Sequence, residues 1–98
     1  MEDVEIGYYD LEKRQYVFRQ EQGPFEVTNL DGNVTELNEM PLIHAHAVLA
    51  RCDDTLACIG GHIRRAVVAV TLELCLRQIS QPLLREYDEA TGLNLISI

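Results

Sequence analysis

Ninety-eight residues bound the chain to one small domain, with a marginal core if it stands alone. An apolar content of 47% excludes a disordered chain, and a formal net charge of −8 opposes direct binding to nucleic-acid phosphates. No apolar run spans a membrane, the acidic Met1-Glu2-Asp3 start is unlike a signal peptide, and the odd set Cys52, Cys58 and Cys75 reads as reduced thiols, so a cytoplasmic protein is expected.

From the N-terminus, the chain reads as short apolar and polar alternations separated by turn residues, the pattern of an antiparallel sheet. Residues 4–9 and 15–19 are β-rich and flank the charged turn 10–14, which predicts a hairpin. After Gly23-Pro24, residues 25–30 and 33–37 flank Asp31-Gly32. This dipeptide tolerates positive φ and predicts a second hairpin. Pro41 opens the apolar run 42–50, read as a central strand covered on both faces. Residues 51–54 make a turn, and 56–59 return antiparallel to Gly60-Gly61, a place for a bulge or a close backbone approach.

Residues 65–77 place Ala66, Val68, Val70, Leu72, Leu74 and Leu76 on one parity, which predicts a strand rather than a helix. Pro82 breaks the chain. A further strand is expected over 84–87, a turn or short helical turn over 88–92, and a closing strand over 93–98. No segment has the period of a long amphipathic helix. The apolar face of such a sheet must therefore be covered by the sheet itself or by another subunit.

All three histidines fall in one predicted patch. His44 and His46, two apart on a strand, leave the same face about 6.6 Å apart at Cα. The hairpin through residues 52–54 brings His62 back beside them, and Gly60-Gly61 leaves room. Three imidazoles with a coordination position left open are the donor set of a catalytic or ligand-binding metal site. The alternative is partly buried histidines satisfied by backbone carbonyls. Two neighbours are weaker candidates. Cys58 shares the parity of His62, and Glu73 could act as an acid–base group beside a metal-bound water. No glycine-rich phosphate loop, nucleophile elbow or Cys-x-x-Cys motif is present.

The chain also resembles a known family. Gly23-Pro24-Phe25-Glu26-Val27, Leu30-x-Gly32-Asn33-Val34, Pro41-Leu42-Ile43-His44-Ala45-His46-Ala47-Val48-Leu49, Gly60-Gly61-His62-Ile63, Thr71-Leu72-Glu73 and Asp88-Glu89-x-Thr91-Gly92-Leu93 stand in the order of the PPC domain, the plants-and-prokaryotes conserved domain. The resemblance implies an α+β fold, mainly antiparallel sheet with little helix here, that assembles as a homotrimer. It also implies zinc or another divalent metal in some members, through positions matching His44, His46 and His62. The fold is similar to that of a zinc-dependent acetolactate decarboxylase. In plants the domain follows an AT-hook, and prokaryotic members carry DNA-binding labels.

Two departures bear on this. The chain starts at the segment that usually follows a strand, a helix and another strand, so an uncovered sheet face and edge are expected. No Arg-Gly-Arg-Pro hook is present. Two readings follow: a metal-dependent small-molecule binder or vestigial enzyme, or an interaction module that recruits other proteins, such as transcription regulators, with structural histidines.

Overall fold

A computed structural model of the chain describes residues 1–97. Among them lie β1 (Glu2–Asp10), β2 (Gln15–Glu21), β3 (Phe25–Leu37), β4 (Met40–Arg51), β5 (Cys58–Val67), β6 (Arg85–Asp88) and β7 (Leu93–Ile96). The first five form one antiparallel sheet in the order β2-β1-β5-β4-β3, and β6 and β7 form a separate two-stranded ribbon. No helix appears among the described residues, so the chain is mainly antiparallel β and the helical part of the expected α+β class is missing from them. The absence follows from the sequence, whose apolar residues recur with period two and not 3.6. Nor, among these residues, is any helix long and apolar enough to cross a membrane.

The first hairpin forms as expected, with pairing from Val4↔Glu21 to Asp10↔Gln15. Asp10 organises the turn: its Oδ1 accepts the N–H of Glu12 at 3.0 Å and of Lys13 at 2.9 Å.

The second reversal is not at Asp31-Gly32. β3 runs straight through that dipeptide and pairs with β4 from Phe25↔Arg51 to Leu37↔Met40. The chain turns at Asn38-Glu39, with φ of 51° and 65°, the two positive-φ residues of a type I′ hairpin. Turning there pairs two strands of 13 and 12 residues along their whole length, which a turn at Asp31-Gly32 would forfeit. Gly32 serves close approach instead: a Cβ on it would stand 2.2 Å from the His44 carbonyl oxygen. The β3–β4 ladder is broken once, where Thr28 bulges out and donates its hydroxyl to the Val48 carbonyl at 2.9 Å.

β4 is flanked by β3 and β5, as expected of an inner strand, but it is not covered on both faces. Ala47 and Leu49 are buried on one side, while His46 and Val48 are exposed on the other. β5 continues through Gly60-Gly61 without a break in its pairing to β4, and the register shifts fall on its β1 side. Gly61 lets β1 approach closely, since a Cβ there would lie 2.5 Å from the Gly7 carbonyl oxygen.

The strand expected over 65–77 stops at Val67. A strand persists only while a neighbour supplies hydrogen bonds. The last β1 partner, Glu2, stands opposite Val67. Beyond it, residues 68–83 are irregular, with Val70 89% and Leu76 85% exposed. The chain rejoins the sheet where Glu36 N–H bonds the Leu83 carbonyl at 2.9 Å. β6 and β7 then meet the expected closing strands, and Ile98, the last residue of the second, lies outside the described residues.

The sheet buries its core by curling on itself. Met1, just before β1, and Phe25, the first residue of β3, lie at strands separated by β5 and β4 in the sheet, yet they exchange both backbone bonds. The Phe25 N–H reaches the Met1 carbonyl at 2.9 Å and the Met1 ammonium the Phe25 carbonyl at 2.7 Å. That closure encloses Val4, Ile6, Phe25, Ala47 and Leu49, with Val27, Leu30, Ile59 and Ile63 packed around them. The opposite face of the sheet carries the histidines.

Candidate metal centre

Strand pleating and register place the site. His44 and His46 alternate with the core-facing residues of β4, and His62 on β5 stands directly opposite His46. The three rings cluster with centroids 4.2–5.2 Å apart. One ligand nitrogen from each ring lies within 4.8 Å of the others, and the Nε2 atoms of His46 and His62 are 3.4 Å apart. Nitrogens bound to one tetrahedral zinc at 2.0–2.1 Å stand about 3.3 Å from each other. The His46–His62 pair already has that separation.

The electrostatics suit the same ion. Partial burial lowers the pKa of His44, and the neighbouring His46 and Arg85 lower it further. Partial burial lowers that of His62 too, with His46 and His44 adding to the effect. Neutral imidazole, the form that ligates metal, is thereby favoured. The donor set fits a divalent cation of the zinc type, with coordination left for an exogenous ligand.

The surroundings leave space. Gly7 pairs with His62, and Gly60 lies two residues along the same face, so neither adds a side chain there. The Tyr16 ring meets His62 edge-on at 5.0 Å. Glu73 does not join this group: it lies exposed in the irregular stretch after β5, because the strand that would have aimed it does not form. Cys58 stays outside as well. It pairs with Ala50, four register positions from the His46–His62 pair, and its thiol faces the Leu56 carbonyl at 3.5 Å.

Two other side chains reach this face, and no motif or spacing pointed to either. Asp31, read as a turn residue, stands opposite His46 in the ladder, with its Oδ1 accepting the Gly32 N–H at 2.9 Å. Arg85, on β6, crosses to the sheet. Its Nε donates to Thr35 Oγ1 at 2.6 Å, and its Nη atoms donate to the Asn94 carbonyl at 2.7 Å and to Asn33 Oδ1 at 3.0 Å. Asn33 is the β3 partner of His44, so the guanidinium is anchored beside the histidines. No spacing signal joins residue 85 to residue 44; only the folded ribbon does.

Residues 1–80 match the family model described as the Plants and Prokaryotes Conserved (PCC) domain. The chain belongs to the PCC-domain family. Solved structures with the same fold include a metal-containing protein of Archaeoglobus fulgidus, 31% identical, with a TM-score of 0.74 over 98% of this chain and 66% of that one. A plant- and prokaryote-conserved protein of Pyrococcus horikoshii is 26% identical, with a TM-score of 0.79 over 99% of this chain and 66% of that one. A Ralstonia eutropha JMP134 protein with a provisional DNA-binding name is 25% identical, with a TM-score of 0.78 over 100% and 67%. This PCC-domain chain thus spans about two thirds of the length of the structures it matches. No curated protein matches it.

Proposed function

We propose that this PCC-domain chain is a metal-binding protein in which His44, His46 and His62 hold one divalent cation, zinc by donor chemistry, with a coordination position kept for a small ligand. The observation that carries the reading is the 3.4 Å approach of the His46 and His62 nitrogens, with the His44 nitrogen beside them. The metal-containing relative in A. fulgidus supports it. The reading also has three copies associating, as the family resemblance implies, and a reducing compartment such as the cytoplasm, which suits three unpaired thiols. A DNA-binding role, suggested by the name of the R. eutropha relative, is opposed by the net charge of −8.

Metal analysis of untagged protein after gel filtration tests the centre. About one zinc per chain is expected, and a His44→Ala/His46→Ala variant should retain almost none. Equal, negligible metal in both proteins would sink the proposal.

A further inference from the structure

The chain is acidic overall, yet its bases are not spread evenly. An open cleft of about 590 Å³ runs from the β1–β2 hairpin across His44 and His62 to the β6–β7 ribbon. That volume lies within the range of small-molecule sites, about 300–1,000 Å³. Four of the eight Lys and Arg residues line it, namely Arg14, Arg64, Arg65 and Arg85, and among the described residues none of the sixteen acids does. The arginines are not equivalent. Arg64 is neutralised by Glu5, at 2.6 Å, and lies over the Phe18 ring. Arg14, in the β1–β2 turn, donates to the Glu89 carbonyl in the turn between β6 and β7. Arg65 carries its charge at the exposed rim.

Arg85 differs from all three. It is half-buried and fixed by three acceptors, Thr35, Asn94 and Asn33, all of them neutral. Among the described residues no carboxylate lies within ion-pair distance of it. A guanidinium has five N–H donors, so two remain. A half-buried cation anchored without a counter-ion is left to gain from any ligand that supplies the negative charge. Here the anchored cation stands beside the histidines, and the cleft wall next to it is aromatic and aliphatic, from Tyr16 and Phe18 to Leu42 and Ile43.

We propose that this cleft binds a small organic carboxylate, with Arg85 receiving the carboxylate group beside His44 and His62 and the apolar wall receiving the carbon chain. The proposal names the ligand class of the site assigned above and rests on that reading only for the role of the metal. A planar guanidinium held in place suits a planar carboxylate, whereas a phosphate is better served by several convergent cations. The apolar wall adds affinity for a short chain that an inorganic anion would not gain.

Titration with sodium butyrate, followed by two-dimensional NMR of zinc-loaded protein, tests this. Saturable shifts are expected at Arg85, His44 and Tyr16. Butyramide, of the same shape without the charge, and inorganic phosphate should each bind at least tenfold more weakly. Arg85→Gln should weaken butyrate about 10- to 100-fold while retaining the same zinc content. Should that variant not fold, the shift map and the butyrate-to-butyramide ratio in the unaltered protein decide the question. Phosphate binding more tightly than butyrate, equal binding of butyrate and butyramide, or shifts confined to sites away from Arg85 would overturn the proposal. Repeating the titration on chelator-treated protein separates the two readings. Zinc absent from the protein with butyrate still held through Arg85 removes the metal reading alone. Zinc present with no butyrate bound removes this one.

Discussion

At the scale of single residues, the histidine cluster links protonation to folding. The pKa values of His44 and His62 are lowered in the folded chain, first by burial and then by neighbouring positive charge. The unfolded chain therefore takes up protons more readily than the folded one. Their contribution to stability is complete above the ordinary histidine pKa of about 6.5 and is lost as pH falls through the lowered folded values. Metal-free protein should accordingly melt at a lower temperature at about pH 5.5 than at about pH 7.5, as followed by circular dichroism. A His44→Gln/His62→Gln variant should lose much of that difference; an undiminished pH dependence in it would move the effect elsewhere. Bound metal raises the stakes in the same direction, since ligation needs the neutral rings and protons compete for them.

Among the elements, local signals located strands better than they located strand ends. The first hairpin was legible because its turn chemistry is local: a four-residue loop closed by the Asp10 carboxylate. The histidine patch was legible because it needs only pleat parity and one reversal. Asp31-Gly32 misled because a dipeptide tolerant of positive φ also suits a tight strand–strand contact, and only the length of the β3–β4 ladder distinguishes the two uses. Residues 68–77 keep a strand's alternation yet are unpaired, because alternation reports which face is apolar and not whether a neighbour is present. Arg85 was invisible for a related reason: it reaches β3 through a separate ribbon some fifty residues away in sequence.

The unpaired stretch makes its own prediction. Its backbone lacks ladder hydrogen bonds, so it should open at little cost. In dilute metal-free protein, trypsin is expected to cut first after Arg77, well before Arg64 or Arg65, which lie within the paired β5. Mass spectrometry of early fragments reads this directly. Early cleavage at Arg64 would mean that β5, and not the segment after it, is the weak element.

At the scale of the molecule, the shape is unlike that of a self-sufficient domain. A compact chain of this length has a radius of gyration of about 13 Å, whereas this one has 15.1 Å and extents of 44 × 35 × 17 Å. A slab that thin is a single curled sheet, and six buried apolar residues among the described ones are a small core. Val70, Leu74, Leu76 and Ile79 face solvent in the same stretch after β5. Apolar side chains grouped in this way gain about 25 cal/mol for each Å² removed from water, an incentive for copies to associate.

If three copies associate, light scattering should give three times the 11.1 kDa of one chain at micromolar concentration. A Val70→Asp/Leu76→Asp variant should shift the mass toward a single chain while keeping the β-sheet circular dichroism of the parent, because neither residue belongs to the buried core. Arg77 should then become more sensitive to trypsin in the variant than in the assembled parent, since association is what would shield it. A parent that scatters as a single chain at all concentrations would rule out assembly. It would also leave the curled sheet, closed by Met1 and Phe25, as the whole of what keeps the histidine face in register.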